Sequence, residues 1–243
     1  DTKEKDGVIF HIIDAPIEAG KSAHGKLDWE KRFDRMQQHS GEHIVSGIVH
    51  HRFGYNNVGF HLADDYCTMD FNGPITKEQL LEIENEANQA IFHNFPVNVL
   101  YPAKEELHEL DYRSKIEIEG QVRIIEIPGV DLCACCAPHV AYTGQIGLIK
   151  LVGMANYKGG ERIHMLNGAR ALADYQRKHQ SVKQISALLC EKEEKIAEGV
   201  ERLKTEQSGL KLELASMQKE RLQYKAAEVE VGDGAVCVFD EKL

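Results

Sequence analysis

Apolar and polar residues change rhythm along this chain, and each rhythm implies an element. The run "VIFHII" at residues 8–13 reads as a strand, followed to residue 27 by a loop with Pro, Gly and Ser. Residues 27–54 read as a helix. Asp28 stands as N-cap, Glu30 suits the positive first turn, and Gly54 supplies a stop. Its apolar stripe, Phe33, Met36, Ile44 and Ile48, is not clean. "YCTMDF" (66–71) alternates as a strand, and residues 75–94 read as a helix that opens on a Thr76/Gln79 capping box and runs until Pro96. "VNVLYP", "VRIIEI", "IGLIKLVGMANY" and "ERIHML" read as further strands. The pattern predicts an α+β fold, with helices packed on an antiparallel sheet.

From about Gly168 the texture changes. Residues 176–228 lack proline, and Val182, Ile185, Leu189, Ile196, Val200, Leu203, Leu210, Leu214 and Met217 step by threes and fours with gaps, Glu and Lys filling the rest. This predicts one long helix with imperfect heptads, a coiled coil. Such a helix cannot bury its stripe alone, so a helical hairpin or a dimer through this helix is expected.

Composition narrows the class. No apolar run approaches the ~18–20 residues of a membrane span, and there is no signal-like segment. Six cysteines, three of them in "CACC" (133–136), are not spread as a disulfide framework, which favours metal or thiol chemistry in a reducing, cytoplasmic setting. Net charge is −10. That excludes a broadly basic nucleic-acid-binding surface and leaves room for a local contact only. The chain opens "DTKEKDGVIFHIID" and closes "GAVCVFDEKL". It is expected to be a fragment, open at both ends.

The chemistry begins in "MQQHSGEHIVSG" (36–47). His39 and His43, four apart, share one helix face with Cβ atoms roughly 6 Å apart and can bind one metal together. Downstream, "DLCACCAPHV" (131–140) places Cys135 and His139 four apart, with Pro138 arguing for a turn. H-x3-H plus C-x3-H sums to the four N and S ligands that Zn2+ takes. Cys133 and Cys136 rival Cys135 for the thiolate position. His50 and His51 close the helix as cations that suit its dipole, and His61 is a candidate pocket residue. Glu42 completes an H-x-x-E-H pattern, which raises a metalloprotease as a rival, but that motif wants a distant carboxylate ligand and no thiolate. Glu42 is the candidate general base; its alternative is a solvated position facing away from the metal.

"RFDRMQQHSGEHIVSG" followed by "DLCACCAPHV" resembles the editing domain of alanyl-tRNA synthetase, and still more the free-standing alanyl-tRNA editing proteins called AlaX. "VGFHLADDYCTMDF", "TGQIGLIKLV" and "YKGGERIHMLNGARA" support this, so the resemblance covers roughly residues 8–175. It implies a zinc site at His39, His43, Cys135 and His139. It implies hydrolysis of the ester of tRNA(Ala) mischarged with serine or glycine, and substrate contacts at Asn57, Gly59 and His61. Lys158 and Arg162 are candidates for phosphate at the tRNA acceptor end. The long form of that family adds an N-terminal β domain and a C-terminal DHH-associated domain. The expected organisation is therefore a β-domain remnant at 1–27, a zinc-dependent editing domain at 28–170, a long helix at 171–228 and the start of a truncated domain at 229–243. The family usually has Gly-Gly-Thr where this chain has Cys136, Ala137 and Pro138. Two alternatives stand beside this reading: the related editing domain of threonyl-tRNA synthetase, and a non-catalytic, zinc-stabilised tRNA-binding and dimerisation module.

Overall fold

The computed structural model describes residues 2–114, 120–230, 232–234 and 237. Contacts divide the chain into two units, residues 1–170 and 171–243.

The first unit is α+β. An exposed hairpin, β1 (Thr2–Lys5) and β2 (Val8–His11), precedes helix α1 (Trp29–Phe53). Then come β3 (Asn57–Leu62), β4 (Cys67–Phe71), α2 (Lys77–His93), β5 (Asn98–Leu100), the single turn α3 (Lys104–Leu107), β6 (Ile124–Ile127), β7 (Asp131–Ala134), β8 (Ile149–Tyr157) and β9 (Gly160–Asn167). The strands form two antiparallel sheets besides the hairpin, ordered β3-β4-β9-β8 and β5-β6-β7. Sequence signals set the helix ends: Asp28 accepts the Lys31 amide at 3.1 Å, Gly54 adopts a left-handed φ of 71°, and both arms of the Thr76/Gln79 capping box form.

The unclean stripe of α1 has a structural cause. Twelve of its residues, Gln37, Gln38 and every residue from Ser40 to Val49, are buried, so the helix runs through the core rather than over it. Its polar members are satisfied in place. Gln38 and Asn167 exchange hydrogen bonds, Gln38 Nε2 to Asn167 O at 3.1 Å and Asn167 N to Gln38 Oε1 at 2.9 Å. Two glycines permit close approach. A side chain at Gly41 would collide with Asn167, and one at Gly47 with Val130 and Asp131 of the β7 segment. Ile44, Val45, Ile48 and Val49 pack with Met69, Phe71, Ile83, Ile163 and Met165.

The helical region departs from expectation by being broken. Helix α4 (Gly168–Leu189) ends at Cys190, whose φ is 53°, and a short 3-10 turn (Glu193–Lys195) leads into α5 (Ile196–Ala227). Within the second unit the break is tied down: Ser186 Oγ donates to Glu191 O at 2.5 Å, Arg202 pairs with Glu191 at 2.9 Å, and Gly199 is buried against Leu189 and Glu191. No glycine or proline marks this break in the sequence. The strand-like end of the chain, expected to begin a further domain, lies largely outside the described residues. No described helix is long and apolar enough to cross a membrane.

Candidate metal centre

Helix α1 brings His39 and His43 to one face, and β7 with the turn after it brings Cys135 and His139 opposite. One ligand atom from each of the four lies within 4.8 Å of the others. Each histidine has its Nδ1 held by an oxygen. His39 Nδ1 donates to Pro138 O at 3.4 Å, His43 Nδ1 to Asp131 Oδ2 at 2.8 Å, and His139 Nδ1 lies 3.1 Å from Ser40 Oγ. That leaves three Nε2 atoms and one sulfur at the centre. His139 Nε2 is buried with no hydrogen-bond partner among the described residues. The His39 Nε2–Cys135 Sγ separation is 3.5 Å. A tetrahedral zinc with bonds of ~2.0–2.1 Å to nitrogen and ~2.3 Å to sulfur separates those atoms by roughly 3.6 Å. The donor set and its spacing fit a zinc ion.

The protons are distributed accordingly. Burial alone would raise the Cys135 thiol, but the facing His139, His39 and His43 side chains pull it down to about 3, so it is a thiolate. Burial lowers His139 to about 4, aided by the charges of His43 and His39 and opposed by Cys135. His43 is also penalised by burial, yet hydrogen bonds with Asp131 and Cys135 and the charges of Glu42 and Asp131 raise it to about 9 in the metal-free chain. Cys133 is pushed by burial up to about 12 and Cys136 is exposed. Of the three crowded cysteines, Cys135 is the one in this four-ligand group.

The other expected site residues are spread around this centre. Glu42 is not solvated: it is 2% exposed, its Oε1 accepts from Ser46 Oγ at 2.8 Å and Asn57 Nδ2 at 2.5 Å, and its Oε2 lies 3.8 Å from His43 Nε2. The Asn57 amide is committed inward to Glu42 and Ser46, while its Oδ1 accepts the Gly59 amide at 3.1 Å. A bulge between Asn57 and Gly59 shifts the register of β3, and Phe60 stacks on His39 with ring centroids 5.7 Å apart. His61 is exposed and faces Tyr66. Arg162 is bound bidentately to Asp70 at 2.6 and 2.7 Å and lies 3.8 Å over the Tyr157 ring, while Lys158 sits exposed at the β8–β9 turn with φ 50°.

Sequence reasoning missed Phe60, Ser40, Asp131 and two arginines. Arg113 grips Asp131, and Arg123 Nη1 donates to the carbonyls of Cys135 at 2.6 Å and Ala137 at 3.1 Å, holding the Cys136–Pro138 loop. Strand period was the available signal for Asp131: residues 131, 133 and 135 alternate with 132 and 134. Beside His39 opens a cleft of about 560 Å3, lined by Lys31, Arg32, Arg35, Phe60, Leu62 and Pro138 among others.

A profile of the threonyl and alanyl tRNA synthetase second additional domain matches residues 122–164. The chain is 32% identical over 198 residues to alanyl-tRNA editing protein Aarsd1-A of Xenopus laevis, covering 79% of this chain and 48% of that protein. It is 32% identical over 182 residues to alanyl-tRNA editing protein AlaX-L of Pyrococcus horikoshii, covering 71% and 44%. It is 29% identical over 234 residues to the alanine--tRNA ligase of Pyrococcus furiosus, covering 92% and 26%. The chain thus spans about half the length of the editing proteins it matches. Over that stretch, the chain belongs to the AlaX-type alanyl-tRNA editing proteins.

Proposed function

We propose that this chain hydrolyses the aminoacyl ester of mischarged tRNA(Ala), with Ser-tRNA(Ala) and Gly-tRNA(Ala) as substrates, at a centre where His39, His43, Cys135 and His139 hold one Zn2+. The observation that carries this reading is the convergence of three Nε2 atoms and one thiolate, each imidazole already fixed through Nδ1, in a chain related to alanyl-tRNA editing proteins. Bound zinc would supply Lewis-acid polarisation of the ester carbonyl or activation of a water. The thiolate among the ligands argues against the protease rival.

The chain's own residues divide the remaining work. Phe60 and Leu62 face the cleft beside His39, Gly59 and His61 take the alternate positions of β3, and Asn57 acts by fixing the β3 bulge through its bond from the Gly59 amide. For Glu42, the hydrogen bonds from Ser46 and Asn57 support a charge-holding role beside His43 in place of the general-base role. The cleft beside His39 offers the acceptor end a route: apolar Phe60, Leu62 and Pro138 suit a base or ribose, and Lys31, Arg32 and Arg35 suit phosphate. Arg32 has no side-chain partner among the described residues, while Arg35 and Lys31 share the exposed Asp64. Lys158 is a further phosphate contact; Arg162 is bound to Asp70 and steadies the hairpin. Six unbridged cysteines support a reducing, cytoplasmic site of action. The open apolar positions of α5 support a homodimer through that helix.

The deciding assay measures deacylation of Ser-tRNA(Ala) and Gly-tRNA(Ala) by the whole chain and by His43→Ala. Hydrolysis well above buffer by the wild type, abolished in the variant, is expected. tRNA binding with no hydrolysis of either ester would replace this reading with that of a non-catalytic binding module.

A further inference from the structure

The three histidines of the centre are not held alike. His39 and His139 meet neutral oxygens at 3.4 and 3.1 Å, whereas His43 meets a carboxylate at 2.8 Å. That carboxylate, Asp131, has a side chain only 1% exposed, and both its oxygens are committed. Oδ1 accepts Arg113 Nε at 2.7 Å; Oδ2 accepts Arg113 Nη2 at 2.9 Å as well as His43 Nδ1. The guanidinium fork fixes the rotation of the carboxylate in a way a lysine would not. Arg113 is fixed in turn by backbone: its amide donates to Leu132 O at 2.8 Å and its carbonyl accepts the Ala134 amide at 2.9 Å, one residue and three residues beyond Asp131. Gly47 of α1 lets this segment close onto the helix, since any side chain there would strike Val130 and Asp131.

Resting on the zinc-centre reading above, we propose that Asp131, clamped by Arg113, is the positioning residue that presents His43 Nε2 to the metal. An ionised carboxylate can only accept at Nδ1, so Nδ1 retains its hydrogen and Nε2 is the nitrogen that gives up its proton and offers a lone pair when the ion binds. The same bond fixes the ring plane and makes the imidazole a stronger donor. His43 is then the preformed ligand around which the other three close.

A competing use of the same atoms exists. His43, Asp131 and Cys133 also lie within 4.8 Å of one another and resemble a second metal-binding set. Two facts oppose it. The Asp131 oxygens already serve Arg113 and His43, with a guanidinium 2.7 Å away that repels a cation. Cys133 Sγ is directed to the Ala134 carbonyl at 3.6 Å. The cluster therefore supports one metal and does not hold another.

The test is zinc affinity, measured by chelator competition on the full chain for wild type, Asp131→Asn and Arg113→Lys. Asp131→Asn is expected to weaken zinc binding by ~10- to 100-fold. Arg113→Lys, which keeps the charge and loses the fork, is expected to weaken it by up to about tenfold and carries the test if the asparagine variant does not fold. A merely structural role would leave the ligand field untouched, so the absorption spectrum of the Co2+-loaded variants must change. Nitrogen NMR of the zinc-loaded wild type must show the hydrogen on His43 Nδ1. Affinity within about twofold of wild type with an unchanged Co2+ spectrum, or two zinc ions per wild-type chain, overturns the proposal. None of these readouts uses deacylation: zinc-loaded wild type that fails to cleave Ser-tRNA(Ala) defeats the proposed activity and leaves the clamp standing, whereas wild type without zinc defeats both.

Discussion

Helices α1 and α5 are both long and both carry apolar residues at helical spacing, yet they meet opposite fates. In α1 every residue from Ser40 to Val49 is buried, including Glu42, His43 and Ser46, and the polar side chains are matched by partners from strands and loops. In α5 only Gly199 is buried, and Leu210, Leu214 and Met217 stand 66%, 57% and 61% exposed. Both patterns are imperfect, yet the gapped heptad-like one belongs to the exposed helix and the broken stripe to the core helix. An interior helix with neighbours on all sides needs no stripe, and its polar residues mark chemistry; a helix with one apolar seam is built for a partner.

Truncation should separate the two helices most strongly. Ile44→Ala, in the fully packed core, is expected to cost about 2–5 kcal/mol in urea unfolding of the first unit. Leu214→Ala is expected to change that unfolding by no more than about 0.5 kcal/mol while weakening self-association in sizing at several concentrations. Equal costs, or a strictly monomeric wild type, would break the contrast. Next comes the chemistry: Cys135→Ala and His139→Ala should each lower deacylation about 100-fold or more, about 2.7 kcal/mol of barrier.

A pH profile of the metal-free chain sharpens the picture. Cys135 titrates near 3 when folded against about 9 unfolded, and His139 near 4 against 6.5, so both contributions are lost as pH falls. His43 has the opposite sign: its contribution is full below 6.5 and is lost as pH rises towards 9. Urea unfolding in chelator should therefore show stability rising from pH 4 to 6.5 and levelling from 6.5 to 9, where Cys135 and His43 oppose. In Cys135→Ser the rise should shrink; a continued climb through pH 9 in the wild type would contradict the assigned protonation.

Smaller effects follow. Glu42→Gln should keep deacylation within about tenfold, since a general base is worth ~10²–10⁴-fold. A loss of 100-fold would restore Glu42 as the base. Arg32→Gln should raise KM severalfold with kcat unchanged and flatten the salt dependence of tRNA binding by about one unit of slope. An unchanged salt slope would remove the cleft from the tRNA path.

Much of this was legible in the sequence because the signals were local. Caps at Asp28 and Thr76 set helix starts, and four-residue spacings nominated His39, His43, Cys135 and His139 before any fold was known. What stayed hidden depends on long-range contact. Nothing near Arg113 says that it grips a carboxylate 18 residues away, and nothing near Glu42 says that Asn57 will cover it. Phe60 stacks on His39 across two elements, a contact that the residues of the strand do not announce. The break at Cys190 escaped for a different reason: a non-glycine residue takes the left-handed conformation there, held by bonds to Glu191 that heptad spacing does not reveal.

In the proposed centre one zinc joins two distant parts of the chain through His39, His43, Cys135 and His139. The most direct test is the metal content of the chain purified without chelator, read beside His43→Ala. One zinc per wild-type chain, and close to none in the variant, is the result this account predicts. A wild type without zinc, or a variant that keeps its full complement, would contradict it.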